Sequence, residues 1–276
     1  MIDAQTMLYG VIGNPVRHSL SPIIHNRAFK RLGWNAVYMA FEVKNIEEAL
    51  AGVRGLGVRG VSVTLPFKTE VVPLLDKVEG MAKKIGAVNT IVNRNGRLIG
   101  YNTDCDAALE ALEERMDMRG KRIVLLGAGG AARAIGFGLQ ERGNPFVVVN
   151  RSKQRGRALS GELGCDYLPM SSLMKMKAEE FEADVVINAT SLGMSPREGD
   201  SPLPRQFLKE GMTVMDIVYQ PLQTKLLREA KANGCVTVDG LEMLIRQGMA
   251  QFEIWSGKTL EIGQIKSVLR RALGRR

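Results

Sequence analysis

The segment Gly127-Ala128-Gly129-Gly130-Ala131 most constrains what this chain can fold into, because it joins an apolar run typical of a strand to a run typical of a helix. A glycine-rich turn in that position lets the backbone approach a pyrophosphate, which the amino end of the following helix attracts. Gly127 permits the tight turn, Gly129 permits the close approach, and Ala132 is the third small residue. The pattern predicts a dinucleotide site, with a purely structural turn as the alternative.

The strand that follows the turn indicates which dinucleotide binds. In an NAD-binding protein this strand ends at an acidic residue, which accepts hydrogen bonds from the ribose 2′-hydroxyl. Here Phe146–Val149 is followed by Asn150-Arg151-Ser152, without a carboxylate. Arg151 offers a planar fork of donors that suits a 2′-phosphate. The sequence therefore favours NADP over NAD, and the alternative is an exposed turn with solvated charges.

Apolar runs and helical stretches alternate along the chain, which predicts an α/β fold with two domains. Residues 105–239 repeat strand and helix and predict a Rossmann-like, mostly parallel sheet. Residues 1–104 predict a second α/β domain. It contains a hairpin of Val88–Val92 and Arg97–Gly100 joined by Asn93-Arg94-Asn95-Gly96, because Asn-Gly tolerates the positive φ of a tight turn. Residues 240–276 are helical and carry one apolar stripe, so we expect them to return to the first domain.

Charge and aromatic content limit the classes of partner. Lys and Arg number 38 against 29 Asp and Glu, a formal charge of +9 that favours anionic partners. Only 5% of the residues are aromatic, and no RNA-binding or zinc-finger signature is found, so we expect no nucleic acid partner. Phosphorylated or carboxylated small molecules remain. The basic residues Arg270, Arg271, Arg275 and Arg276 are interpreted as a solvated helix end.

The cysteines, histidines and apolar runs bear on compartment and cofactors. Three widely spaced cysteines support neither a disulfide framework nor a zinc ribbon, and two histidines without a nearby cysteine give no reason to expect a metal. No apolar run approaches the length of a membrane helix, and the first residues lack the pattern of a secretory signal. We expect a cytoplasmic protein with no membrane partner.

Four polar residues lie next to predicted helices or strands, and their local positions alone do not show whether they have a structural or a functional role. Ser19 and Ser21 lie just before a helix, where hydroxyls usually cap the helix but also suit a carboxylate. Lys68 is ordinarily a surface lysine, and Asp104 ahead of a helix is ordinarily a cap. Physical chemistry alone does not make them catalytic.

Taken in order along nearly the whole chain, seven segments resemble the shikimate dehydrogenase family. They are Gly13-Asn14-Pro15 with His18-Ser19-Leu20-Ser21-Pro22 and His25-Asn26, Ser62-Val63-Thr64-Leu65-Pro66-Phe67-Lys68, Gly86-Ala87-Val88-Asn89-Thr90, Gly100-Tyr101-Asn102-Thr103-Asp104, Asn188-Ala189-Thr190-Ser191-Leu192-Gly193-Met194, residues 216–224, and Gly240 with Gln247-Gly248. Each segment is moderately specific, but their joint order is very specific.

The resemblance implies reversible, NADP-dependent reduction of 3-dehydroshikimate to shikimate, a step of chorismate and aromatic amino-acid biosynthesis. It implies that Ser19 and Ser21 hold the substrate carboxylate, and that Lys68 and Asp104 flank the reacting hydroxyl as an acid-base pair. Such a pair is useful because hydride transfer at carbon requires proton transfer at oxygen, while the nicotinamide carries the hydride. The further substrate contacts implied are Thr64, Asn89, Tyr219 and Gln247.

The resemblance also assigns cofactor contacts. Those implied for the pyrophosphate are Gly127, Gly129, Gly130 and Ala131, and those for the 2′-phosphate are Asn150, Arg151 and Ser152. Those implied near the nicotinamide half are Thr190, Ser191, Met194, Ile217, Gly240 and Met243. Many relatives have Thr where this chain has Ser152, which keeps the hydroxyl. As side chains alone, Met194 and Met243 could equally be core residues.

Three other functions compete with this interpretation. A quinate/shikimate dehydrogenase that accepts NAD shares the expected fold, but Arg151 argues against it. If the chain were a folate-linked methylene dehydrogenase, the Ser19 and Ser21 motif would have no explanation. If it were a binding module without catalysis, Lys68 and Asp104 would have none. The sequence leaves a homodimer open.

Overall fold

The computed structural model describes residues 2–273, which divide into two compact units. One unit comprises the chain up to Thr103 together with the chain from Ile245 onward, and the other comprises Asp104–Leu244. Arg275 and Arg276 of the predicted basic helix end lie outside the described residues. Across residues 2–273, none of the helices has the length and apolar character needed to cross a membrane.

The first unit is built on a six-stranded mixed sheet. Its elements are β1 (Met7–Gly13), α1 (Ser21–Arg31), β2 (Ala36–Glu42), α2 (Ile46–Gly55), β3 (Gly60–Val63), β4 (Lys77–Val78), α3 (Gly80–Ile85), β5 (Thr90–Arg94), β6 (Arg97–Tyr101), the later part of α9 (Gly240–Ser256) and α10 (Ile262–Leu273). The strand order is β2-β1-β3-β5-β6-β4. Strand β1 runs parallel to β2 and β3, whereas β5 runs antiparallel to β3 and β6.

Core residues lie on both faces of this sheet. Successive side chains of a strand point to opposite faces, so one strand contributes to two clusters. In β1, Ile12 lies in the core cluster beneath α2, whereas Val11 belongs to an aromatic cluster on the other face. Phe252 of α9 lies in that aromatic cluster, and the Trp255 indole donates to the Ile91 carbonyl at 3.1 Å. From Ile245 onward the C-terminal helix thus belongs to the first unit, as predicted, whereas its first residues belong to the second unit.

The hairpin forms where the sequence predicts it, but with a shorter connection. Strands β5 and β6 pair up to Arg94 and Arg97, so only Asn95 and Gly96 form the turn. Both residues have positive φ, 54° and 87°, which Asn and Gly tolerate best. The first strand begins at Thr90, which leaves Asn89 just before it.

The edge strand β2 is held by a side chain from α1. The Asn26 amide donates to the Tyr38 carbonyl at 2.8 Å and accepts from the Tyr38 N–H at 2.9 Å. An asparagine thereby replaces the strand that would otherwise pair with this residue, and open sheet edges require such protection. This contact gives Asn26 of the His-Asn motif a structural role.

The second unit contains an all-parallel sheet of six strands. Its elements are α4 (Asp104–Glu113), β7 (Ile123–Leu126), α5 (Gly130–Glu141), β8 (Phe146–Asn150), α6 (Lys153–Leu163), β9 (Asp166–Pro169), α7 (Met170–Leu173), β10 (Val185–Asn188), β11 (Thr213–Asp216), α8 (Lys225–Ala232), β12 (Val236–Val238) and the start of α9. The strand order β9-β8-β7-β10-β11-β12 is that of a dinucleotide-binding Rossmann fold, as predicted. The chain reverses direction across the sheet between β7 and β10, where such folds bind their ligands.

Strand β9 is the one strand of this sheet that the sequence pattern does not reveal. Its four residues, Asp166–Pro169, are partly or fully exposed at the sheet edge, so they lack the apolar run that marks the inner strands. The inner strand β7 is buried throughout, and its residues alternate between two core clusters on opposite faces of the sheet.

Candidate active site

The two serines of the first motif are not used as helix caps. Leu20 occupies the N-cap position of α1 and no side chain caps the helix, while the Ser19 hydroxyl accepts the Ser21 N–H at 3.2 Å. Ser19 is half-buried and Ser21 is buried at the first residue of the helix. Two hydroxyls at an uncapped helix start form a site that suits a carboxylate.

Thr64 and Lys68 lie in the loop that follows β3, and the loop is fixed by backbone hydrogen bonds. The Thr64 N–H donates to the Ile12 carbonyl at 3.0 Å, and the Lys68 carbonyl accepts from Val88 at 2.8 Å. Phe67 is buried in the core and anchors the loop between them. The side chains of Thr64 and Lys68 are half-buried. The carboxyl end of β3 therefore holds both residues in a defined backbone position.

Asn89 and Gln247, which are far apart in sequence, are both tied to Thr103. The Asn89 amide donates to the Thr103 hydroxyl at 2.9 Å and its oxygen accepts the Thr103 N–H at 2.9 Å. The Thr103 hydroxyl donates to the Gln247 carbonyl at 3.1 Å. All three residues are buried. The first unit thus brings these two predicted substrate residues together.

A buried hydrogen-bond chain lies behind Asn89, and sequence reasoning missed its members. The Tyr38 hydroxyl donates to Ser62 at 2.6 Å, the Ser62 hydroxyl donates to the Gln251 oxygen at 2.6 Å, and the Gln251 amide donates to the Asn89 carbonyl at 3.1 Å. The available signals were the position of Gln251 one turn after Gln247 and that of Ser62 two residues before Thr64. The chain fixes the backbone at Asn89.

His25 of the first motif is buried in the aromatic cluster rather than exposed at the site. Its ring stacks on Tyr38 with centroids 4.4 Å apart and lies 5.0 Å from Trp255. It is fully buried, and within the described chain neither ring nitrogen has a hydrogen-bond partner. Burial lowers the pKa of His25 to about 3, although the nearby Gln251 side chain acts in the opposite direction. His25 is therefore neutral at physiological pH.

Asp104 and Tyr219 belong to the second unit, unlike the other predicted substrate residues. Asp104 is the first residue of α4 rather than a residue ahead of the helix, and its side chain is buried. Tyr219 follows β11 and is half-buried. The predicted substrate residues therefore fall into two groups, one in each unit.

The glycine-rich turn has the geometry that the sequence predicts. Gly127 has a φ of 120°, and a Cβ there would lie 2.9 Å from the Ala189 carbonyl oxygen. A Cβ at Gly129 would meet no atom within 4 Å, so the turn leaves open space there. Gly129 is the N-cap of α5 without a side-chain cap, and no acidic residue lies in the first turn. Gly130 and Ala131, the first residues of the helix, are partly exposed, so a pyrophosphate fits this turn.

The residues after β8 form an exposed turn before α6. Ser152 caps α6 by accepting the Arg155 N–H, and the Asn150 amide donates to the Ser152 carbonyl at 3.0 Å. These hydrogen bonds hold the turn that carries Arg151, whose side chain is exposed. A guanidinium beside the glycine-rich turn suits a 2′-phosphate.

The residues implied for the nicotinamide half cluster where β10 and β11 end. Thr190 and Ile217 both donate hydrogen bonds to Asn188. A Cβ on Gly240 would clash with the Ile217 carbonyl oxygen, so only glycine fits there. Ser191 is exposed and Met194 is half-buried in the first of the two loops. Met243 is buried in the core of the second unit, next to Ile217.

Asp216 accepts hydrogen bonds from Asn188 at the end of β10, from Val218 in the loop after β11 and from Thr224 before α8. It is fully buried at the end of β11, and burial raises its pKa to about 6 even though three donors surround it. No group of three or more His, Cys, Asp or Glu side chains within the described residues could hold a metal ion.

Three family models match separate parts of the chain. The shikimate dehydrogenase substrate binding domain matches residues 11–91, the shikimate/quinate 5-dehydrogenase model matches 108–197, and the shikimate 5′-dehydrogenase C-terminal domain matches 240–270. The matches occur in the order in which the motifs are found.

Individual relatives match over nearly the full length. The NADP(+) shikimate dehydrogenase of Moorella thermoacetica is 46% identical, over 99% of this chain and 96% of its own. A shikimate dehydrogenase crystallised with NADP+ has a TM-score of 0.91 and 40% identity, covering 99% of this chain and 98% of its own. The Thermus thermophilus enzyme, solved with NADP(H) and shikimate, has a TM-score of 0.87 and 40% identity, covering 97% of this chain and 100% of its own.

Proposed function

The chain belongs to the shikimate dehydrogenase family, and we propose which of its residues carry out the reaction that follows from this membership. The enzyme is an oxidoreductase that interconverts 3-dehydroshikimate and shikimate with NADP as its cofactor. In the biosynthetic direction, NADPH reduces the ketone on the route to chorismate and the aromatic amino acids. The observation that carries the residue assignment is the convergence of Asn89 and Gln247 on Thr103.

The first unit binds the substrate. The Ser19 and Ser21 hydroxyls hold the carboxylate, an assignment supported by the uncapped start of α1. Thr64, Asn89 and Gln247 bind the ring hydroxyls, and Tyr219 of the second unit contributes a further contact. The buried positions of Asn89 and Gln247 support this role, because polar groups held by a rigid framework select a substrate by hydrogen bonding.

Lys68 and Asp104 act as the catalytic acid-base pair. During reduction the Lys68 ammonium donates a proton to the oxygen as the carbonyl carbon receives hydride, and in the reverse direction the pair withdraws that proton. The fixed backbone of the β3 loop supports the assignment of Lys68, and the place of Asp104 at the start of α4 supports its partner.

The second unit binds NADP, which supplies the hydride. The open space at Gly129 and the uncapped start of α5 support pyrophosphate binding by Gly127, Gly129, Gly130 and Ala131. Asn150, Arg151 and Ser152 bind the 2′-phosphate, supported by the turn that exposes Arg151. The contacts to the nicotinamide half are Thr190, Ser191, Met194, Ile217, Gly240 and Met243, supported by the cluster around the ends of β10 and β11.

The experiment that tests this assignment is four parallel assays of reduced-nicotinamide absorbance, combining shikimate or quinate with NADP or NAD. We expect turnover largely confined to shikimate with NADP. Preference for quinate or NAD would contradict the assignment of Arg151 and move this protein toward the quinate dehydrogenases. Folded protein that binds NADP but turns over none of the four combinations would contradict the catalytic pair.

We place the protein in the cytoplasm, a proposal supported by three cysteines that are free thiols. As its assembly we propose a monomer or a homodimer. Light scattering on the purified 30.3 kDa chain distinguishes the two, and fractionation of cells tests the compartment.

A further inference from the structure

Asp216 is a carboxylate in a place where a charge is unfavourable. It ends the buried strand β11, its side chain is fully buried, and among the described residues no cation forms an ion pair with it. A buried ionised group without an opposite charge must be stabilised by hydrogen-bond donors. The positions of those donors indicate what the carboxylate holds in place.

Three donors surround the carboxylate, and they come from three separate segments. The Asn188 amide donates at 2.9 Å and the Val218 N–H at 3.0 Å to one oxygen. The Thr224 hydroxyl donates to the other oxygen at 2.7 Å and also caps α8. One side chain therefore ties the end of β10, the loop after β11 and the start of α8 together.

Asn188 extends these contacts to the loop after β10. Its amide oxygen accepts the Thr190 N–H at 3.0 Å and the Thr190 hydroxyl at 2.7 Å, and its backbone carbonyl accepts the Ile217 N–H at 3.1 Å. Since the Asn188 amide nitrogen is held by Asp216, its oxygen is turned toward Thr190. The same amide nitrogen also donates to the Leu192 carbonyl at 3.3 Å, so Asn188 links Asp216 to the loop that carries Thr190.

We propose that Asp216 is a positioning residue that orients the nicotinamide half of the cofactor by fixing the loops carrying Thr190 and Ile217. This proposal rests on the proposed function, which assigns those two residues to that half. Hydride transfer is sensitive to displacements of about 1 Å at the reacting carbon, so loosened loops lower kcat. The proposed function assigns the glycine-rich turn and Arg151 to the other half of the cofactor, and the three donors to Asp216 come from neither of them.

The test measures binding of the adenosine half of the cofactor separately from the environment of its nicotinamide half. Asp216→Ala removes the acceptor for all three donors, whereas Asp216→Asn keeps one oxygen for Val218 and Asn188. The matched control is Thr213→Ala, a buried truncation at the opposite end of the same strand. For each variant, calorimetry measures binding of 2′,5′-ADP, fluorescence measures the emission of bound NADPH, and steady-state assays measure kcat and KM.

We expect Asp216→Ala to bind 2′,5′-ADP within about twofold of wild type, to shift the emission of bound NADPH, and to lose about tenfold or more in kcat. Asp216→Asn should recover most of the kcat, and Thr213→Ala should match wild type in all three measurements. Wild-type kcat and emission in Asp216→Ala, or equal losses of 2′,5′-ADP and NADPH affinity, would overturn the proposal.

A second variant and a separate measurement cover two cases, an Asp216→Ala variant that does not fold and a wild-type protein without shikimate turnover. If Asp216→Ala does not fold, Asn188→Ala releases Thr190 while leaving the carboxylate in place, and the same loss in emission and kcat is expected. If wild-type protein does not turn over shikimate, the proposed function fails. The NADPH emission and 2′,5′-ADP binding still test Asp216 independently of that outcome.

Discussion

Replacing His25 by phenylalanine should change how the stability of the first unit depends on pH. The imidazole is fully buried in an aromatic cluster, stacked 4.4 Å from Tyr38, and both ring nitrogens lack partners within the described chain. A phenyl ring has nearly the same shape and no polar atoms to desolvate, so His25→Phe should equal or exceed wild type in stability at pH 7.5.

The magnitude follows from the pKa of His25, which burial lowers from 6.5 to about 3. Because the unfolded chain takes up a proton below pH 6.5 and the folded chain does not, stability that is present above pH 6.5 is lost as the pH falls toward 3. One pKa unit corresponds to about 1.4 kcal/mol, and the unfolded imidazole is already half protonated at pH 6.5, so wild type should lose about 2.3 kcal/mol between pH 6.5 and 4.5 through this residue. His25→Phe removes that loss.

The assay uses the two tryptophans of the chain, Trp34 and Trp255, which both lie in the aromatic cluster of the first unit. Urea unfolding followed by tryptophan fluorescence at several pH values therefore reports this unit. Phe29→Leu, in the same cluster, is the control: it should lower stability by a similar amount at every pH. If wild type and His25→Phe show parallel pH profiles between 6.5 and 4.5, the reasoning from burial is refuted.

Four further predictions follow from other residues. Burial raises the pKa of Asp216 from 3.8 to about 6, so its ionisation destabilises the second unit. As the pH falls from 7 to 3, protonation of Asp216 should contribute about 3 kcal/mol of stability to wild type, and the difference between wild type and Asp216→Asn, followed by circular dichroism during unfolding, should change by that amount. Gln251→Leu, which removes the bonds to Ser62 and Asn89, should raise KM for shikimate several-fold and leave KM for NADP unchanged in steady-state assays. Lys68→Ala should lower kcat by roughly a hundredfold or more with little change in shikimate KM, whereas an intact kcat with a raised KM would demote it to a binding residue. Arg151→Ser should raise KM for NADP about tenfold or more but not KM for NAD, and equal changes for both would show that Arg151 does not contact the 2′-phosphate.

Most of the fold could be predicted because its inner elements carry strong periodic signals. The buried strand β7, the glycine-rich turn and the amphipathic α9 are each specified by neighbouring residues in the chain. The edge strand β9 escaped prediction because its partly exposed residues need no apolar run. The hairpin turn was predicted, but the length of its connection was overestimated, because pairing between β5 and β6 continues up to Arg94 and Arg97.

The residues of the candidate site likewise fall into those that local sequence predicts and those that it does not. Local sequence was enough to predict the dinucleotide turn and the exposed Arg151, because a tight turn and the residues next to it are set within a few positions of the chain. It was not enough to show that Leu20, rather than either serine, takes the N-cap of α1, because the backbone conformation decides which residue begins the helix.

What the sequence by itself determined is the identity of the groups that can do chemistry and the short segments that carry them. Only the tertiary structure decided that Asn89 and Gln247 meet on Thr103, and that Gln251 lies behind them. It also decided that Asp216 joins the end of β10, the loop after β11 and the start of α8. These contacts join residues distant along the chain, so they form only when packing of strands and helices brings their backbones within hydrogen-bonding distance.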